Sequence, residues 1–330
     1  MNFKEIIGVD ISKKTIDVCI HSIQNLKQFK NSTKGMQVLF TWLKSYKVDF
    51  QSTLFVFEHT GMYSHQITET LNNKNLHYYR ASGLEIKRSM GITRGKDDIV
   101  DAKRIALFGH RLKDEVKPTK ITKHQIHRLK SLMNLKKKLI KQRASFKGVV
   151  KEQRSVYKIK DFKSVFDVQD KMIRYLSKQI ESIEIEIRKT IKNDRELNNN
   201  YKLITGIKGI GPEMAATVII YTHNFAKFDN WRKFASYCGI APFPYKSGTS
   251  IKGRNKVSHL ANKKIKSLVH MCAITSILYN PEMKRFYDKR VLQGKSKMST
   301  INIIRNKLIA RIFAVVKRQT PYVDTMRFVA

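Results

Sequence analysis

Two apolar runs near the start of the chain each close on an acid: Ile6-Ile7-Gly8-Val9 on Asp10, and Leu54-Phe55-Val56-Phe57 on Glu58. Short apolar runs bounded by polar residues read as strands of a mixed sheet with helices packed against it, so each carboxylate falls at an element edge. A further pair, Asp98 and Asp101, lies in Lys96-Asp97-Asp98-Ile99-Val100-Asp101-Ala102, where a helical pattern begins. Their i, i+3 spacing puts both on one helix face. The chain around them carries 65 Lys and Arg against 26 Asp and Glu, a formal net charge of +39. Acids kept at element edges in so positive a chain are read as ligands for a hard cation, acting on a polyanion that the bases hold.

At 330 residues, 42% of them apolar, the chain is long enough for two domains. A pI near 10.2 argues for a nucleic-acid partner. Cys19, Cys238 and Cys272 form no Cys-x-x-Cys pair, which excludes a zinc ribbon and a disulfide scaffold and fits a reducing compartment. The N-terminus reaches Glu5 too early for a signal peptide, and no apolar run spans a bilayer. A cytoplasmic, nucleoid-associated protein with no membrane contact is expected.

Three segments are expected. Residues 1–121 read as α/β: runs at Ile6–Asp10 and Thr15–His21 in a hairpin-like pair, a helix around Gly35–Tyr46, strands at Thr53–Phe57 and Leu76–Arg80, and a closing helix over Asp98–Leu112. Residues 122–196 read as helical. Ile173, Leu176, Ile180, Ile183, Ile187 and Ile191 follow a heptad seam, which suits an antiparallel helical hairpin, a dimerising coiled coil or two ordinary core helices. Residues 197–330 read as mainly α. They open on Gly206-Ile207-Lys208-Gly209-Ile210-Gly211-Pro212 between two short apolar helices, a helix-hairpin-helix pattern or a plain tight turn. In the first case Gly209, Gly211 and Lys208 aim donors at a phosphate.

The acids suit divalent-cation phosphodiester chemistry, in which carboxylates from strand ends and one helix hold one or two magnesium ions. Asp97 next to them reads as a helix cap. Residues 122–165 hold 14 bases and only Glu152 and Asp161 as acids, so Lys136-Lys137-Lys138 is expected to lie on phosphate. His124 and His127 have no cysteine or carboxylate company and read as a surface pair rather than a zinc site.

Gly8-Val9-Asp10-Ile11-Ser12-Lys13, Glu58-His59-Thr60-Gly61-Met62-Tyr63 and Lys96-x-Asp98-x-x-Asp101-Ala102 together resemble the Asp-Glu-Asp-Asp signature of the insertion-sequence-110 transposases. Gly206–Ala215, Phe234-Ala235-Ser236-Tyr237-Cys238-Gly239-Ile240-Ala241-Pro242 and Ser247-Gly248 resemble the second domain of the same family. The resemblance implies an N-terminal RNase H-like domain, similar to the RuvC resolvase, with Asp10, Glu58, Asp98 and Asp101 as catalytic metal ligands. It also implies a structured guide (bridge) RNA pairing with donor and target DNA, and a homo-oligomer, dimer or tetramer, in which one protomer's acids meet another's serine. By position that serine is Ser247, with Ser250 as the fallback, and Lys252 and Arg254 are near enough in sequence to neutralise the phosphate. Asp97 stands where the family more often has threonine, Phe243-Pro244-Tyr245 replaces a usually polar, basic stretch, and Ala261-Asn262 stands where Gly-Asn is common. Two other functions compete: a junction-resolving nuclease that uses metal-activated water and leaves Ser247 idle, and a non-catalytic nucleic-acid scaffold.

Overall fold

The computed structural model describes residues 3–89, 91, 98–119, 123–247 and 251–323, with backbone alone at residues 98, 99, 245–247, 251, 252 and 254. The chain divides into two compact units, residues 1–121 and 122–330.

The first unit runs β1 (Glu5–Ile11), β2 (Thr15–Ile20), β3 (Asn25–Lys30), α1 (Thr33–Ser45), β4 (Thr53–Glu58), α2 (His65–Asn73), β5 (Tyr78–Ala81), α3 (Gly83–Ser89) and α4 (Asp98–Leu112). Its five-stranded sheet has the order β3-β2-β1-β4-β5. The β1–β2 and β2–β3 pairs are antiparallel, and the β1–β4 and β4–β5 pairs are parallel. One face buries Ile7, Val9, Phe55 and Phe57 against Met36, Leu39 and Leu43 of α1 and Ile67 and Leu71 of α2. The other buries Ile6, Leu54 and Val56 against Ile86 of α3 and Ile105 and Phe108 of α4. Helices on both faces are the reason β1 and β4 read as unbroken apolar runs rather than alternating ones.

Helix α4 approaches the sheet through small residues. A Cβ on Gly8 would lie 2.4 Å from the Ala106 nitrogen and 2.5 Å from the Ala102 oxygen, and Cys19, Ala102 and Ala106 form a buried cluster at that crossing. Further along the helix, Gly109 lies against Val56 and Ile6. Passing from Gly109 back through Ala106 and Ala102 therefore moves from the Ile6 end of β1 towards its Asp10 end. The first turn of α4, which carries Asp98 and Asp101, is thus directed to the rim where β1 and β4 end.

In the second unit come α5 (His124–Val156), α6 (Lys163–Lys192), α7 (Arg195–Thr205), α8 (Pro212–Thr222), α9 (Trp231–Tyr237), β6 (Pro242–Ser247), β7 (Ile251–Val257), α10 (Lys263–Tyr279), α11 (Pro281–Leu292) and α12 (Lys297–Arg318). Helices α5 and α6 run antiparallel, with Arg154–Asp170, Arg143–Ser177 and Arg128–Glu186 bonded at successive levels. Leu176, Ile180, Ile187 and Ile191 of the heptad seam are buried, while Ile173 and Ile183 are partly covered. Helix α8 is buried on nearly every side, from Met214 to Ile220, at the centre of a core shared with α7, α9, α10 and α12. The antiparallel β6–β7 pair lies inside a segment expected to be mainly helical.

Candidate functional site

Strand pairing sets the acid rim. Val9 of β1 is in register with Phe57 of β4, so Asp10 and Glu58 are the next residues on adjacent parallel strands. On the other side Asp10 stands directly opposite Asp17 of β2, and Asp17 opposite Gln28 of β3. Residues opposed in this way share a face of the sheet. Gln28, Asp17, Asp10 and Glu58 therefore form one row, on the face that α4 covers.

Glu58 is partly exposed, and its carboxylate lies over Gly83. A Cβ there would come 2.3 Å from Glu58 Oε1, so the absence of a side chain at the start of α3 leaves this carboxylate its place. The start of α3 is fixed by a reciprocal cap. The Ser82 nitrogen and hydroxyl donate to Glu85 Oε2, the Glu85 nitrogen donates to Ser82 Oγ, and Tyr79 donates to Glu85 Oε1 at 3.0 Å. Asp101 is partly buried and pairs with Arg104 Nη1 at 2.9 Å. Asp98 opens α4, but its side chain lies outside the described residues, as does the whole of Asp97. Among the described residues no three His, Cys, Asp or Glu side chains gather into a ligand set. Asp17 and Gly83 were missed by sequence reasoning. Asp17 lies inside an alternating strand with no motif around it, and only the pairing shows that it faces Asp10.

In the second unit Ser247 ends β6. It is paired with Ile251, and Lys246 is paired with Lys252. The side chains of Ser247, Lys252 and Arg254, and all of Gly248 and Ser250, lie outside the described residues. The stem of this hairpin is tied at both ends. The side-chain amides of Asn302 and Asn306 on α12 donate to the Ile240 carbonyl at 2.9 and 3.1 Å, and the Asn262 nitrogen donates to the Tyr237 carbonyl at 2.9 Å.

The glycine turn packs tightly on α10. Gly209 has φ +93°, and a Cβ there would meet Ser276 Oγ at 1.9 Å; Ser276 in turn donates to the Lys208 carbonyl at 3.2 Å. Burial raises the Cys272 thiol, and a hydrogen bond from the Gly211 backbone opposes that rise. Glu213 in the first turn of α8 reaches Lys136 at 3.3 Å.

That contact gives one lysine of the basic segment an internal partner. Lys136 is mostly buried and bridges Glu184 at 3.0 Å and Glu213. Burial would lower its ammonium, but hydrogen bonds and charge from these two acids outweigh it and raise the pKa. Lys123 pairs with Asp194 and Glu196, Arg128 with Glu186 and Arg154 with Asp170. Bases that lack acids nearby in sequence thus find them on α6 and beyond. Lys137 and Lys138 are exposed.

Comparison with known proteins bears on both units. Residues 7–153 match the transposase family model DEDD_Tnp_IS110, and residues 201–288 match the model described as Transposase IS116/IS110/IS902 family. A pilin gene-inverting protein of Moraxella bovis is 27% identical over 341 aligned positions, covering 97% of this chain and 98% of that one. A 43.6 kDa protein of insertion element IS110 from Streptomyces coelicolor is 26% identical over 124 positions, 38% of this chain and 30% of its own length. The family match over residues 7–153 takes in all four acids, and the one over residues 201–288 takes in the glycine turn and the β6–β7 hairpin. This chain belongs to the IS110 family of transposases and is an enzyme of the DNA transposase and recombinase class.

Proposed function

We propose that the protein moves an insertion sequence as an RNA-guided recombinase, cleaving and exchanging DNA strands through a covalent phosphoserine link at Ser247. The observation that supports this reading is the pairing of strand-end Asp10 and Glu58 on one sheet face, with the first turn of α4 directed to the same rim. Strand-end carboxylates on one face, with no base paired to Glu58 among the described residues, suit a divalent cation, so the residues fit one. Asp10, Glu58, Asp98 and Asp101 would hold it, with magnesium as the proposed ion. When bound, the cation supplies positive charge to the phosphate under attack.

The chain's own groups do the rest. The Ser247 oxygen attacks phosphorus, the bond to a deoxyribose oxygen breaks, and that oxygen leaves with a proton as a hydroxyl. The serine proton passes to a carboxylate such as Asp98 or Asp101. The serine ester keeps the phosphodiester energy, so attack by a hydroxyl of another strand reseals DNA and frees the serine without a nucleotide cofactor. Guide RNA and DNA are proposed to lie on bases such as Lys137, Lys138, Lys252 and Arg254.

The test is a denaturing gel of the protein with its DNA and copurifying RNA. Ser247→Ala should bind both nucleic acids but form no protein–DNA adduct, and Ser250→Ala should keep activity. Productive cleavage without any adduct in the parent protein would instead establish the junction-resolving nuclease.

A further inference from the structure

Asp17 is a buried acid that the chemistry above does not use. It is 6% exposed, opposes Asp10 across the β1–β2 pair, and accepts a hydrogen bond from Gln28 Nε2 at 2.9 Å. Directly opposed residues in an antiparallel pair have Cβ atoms about 4.5–5.5 Å apart, and like charges so placed destabilise the sheet. No Lys or Arg forms an ion pair with Asp17 among the described residues, although the chain carries 65 of them. An asparagine at this position could accept the same bond from Gln28 without the charge. The hydrogen bond alone therefore gives no reason for a carboxylate, and the charge is unfavourable to the metal-free fold.

We propose that Asp17 is a positioning residue for the divalent-cation site, resting on the reading that Asp10 and Glu58 hold such an ion. Gln28 fixes the Asp17 carboxylate. Its charge turns the Asp10 carboxylate away from β2 towards the end of β1, and adds to the negative field that retains the cation. The repulsion between Asp10 and Asp17 is relieved when the cation binds, so the cost in the metal-free state and the gain in the loaded state have one origin.

Thermal unfolding of the full chain, without nucleic acid, separates this role from a structural one. The midpoint is followed as magnesium is titrated into the parent, Asp17→Asn and Asp10→Ala. Asp17→Asn should raise the metal-free midpoint by about 2–4 °C and should raise the half-saturating magnesium concentration about tenfold. The same shift should appear in the magnesium dependence of DNA cleavage, with near-parental cleavage at saturating magnesium. A lower metal-free midpoint together with an unchanged magnesium half-saturation would overturn the proposal and leave Asp17 a partner of Gln28 only. Should Asp17→Asn fail to fold, Asp17→Ser removes the same charge with a smaller side chain and is judged by the same two shifts. A magnesium response abolished by Asp10→Ala but untouched by Asp17→Asn removes the role of Asp17 alone. No magnesium response in the parent removes the cation reading and this role with it.

Discussion

At the scale of single residues the acids and the histidines make separable predictions. Asp10 is only partly buried, so its carboxylate carries little of the core. Asp10→Ala and Asp98→Ala should abolish DNA cleavage while circular dichroism and RNA binding stay close to those of the parent; full cleavage by either in magnesium would remove it from the site. His21 stacks on His110 with ring centroids 4.3 Å apart, and its Nδ1 is buried without a hydrogen-bond partner among the described residues. Burial, followed by the charge of His110, lowers the His21 pKa below 6.5. The unfolded chain therefore takes up the proton first. The stabilisation from neutral His21 is present above about pH 6.5 and is lost as pH falls through the depressed folded value. A titration of the His21 ring by NMR should give a midpoint under 6.5, and a midpoint above it would contradict a buried, neutral His21.

At the scale of elements, the crossing of β1 and α4 and the face of α5 decide what the site residues can do. A methyl group on Gly8 would meet the backbone of α4 at 2.4 Å, where no flexible side chain can yield. Gly8→Ala should cost about 1–3 kcal/mol in urea unfolding and should lift the Asp98/Asp101 turn, reducing cleavage by more than the stability loss explains. Unchanged stability would mean that the helix is not seated as closely as described. On α5, Lys136 and its neighbours should behave differently although the sequence makes them equivalent. Lys136→Ala removes two ion pairs from a mostly buried ammonium and should cost about 1–3 kcal/mol of stability with little change in the salt dependence of RNA binding. Lys137→Ala and Lys138→Ala should each lower the log–log salt slope by about 1 while leaving stability alone. Equal salt effects from all three lysines would show that the Glu184 and Glu213 pairs open when RNA binds.

For the whole molecule, the net charge of +39 predicts RNA binding that weakens steeply with salt, measurable as affinity between low and moderate ionic strength. A flat response would reject the phosphate-contact account, and specific DNA cleavage by RNA-free protein would reject the guide. The sequence by itself determined the local elements that carry this function. Continuous apolar runs gave β1 and β4, with Asp10 inside the end of one and Glu58 closing the other, and the 3.6-residue pattern gave a helix over Asp98–Leu112. Weakly patterned elements were not legible. β3 is a polar edge strand, and β6–β7 contain Pro242, Pro244 and Gly253, residues that ordinarily argue against a strand. Tertiary structure alone decided the rest. Apolar periodicity reports burial along one segment, whereas the opposition of Asp17 to Asp10 depends on strand register. The capture of Lys136 by Glu184 and Glu213 depends likewise on helices brought together from distant parts of the chain. Both are relations between charged groups on different elements, set by how strands pair and hydrophobic faces pack and unrecorded in the spacing of any one element.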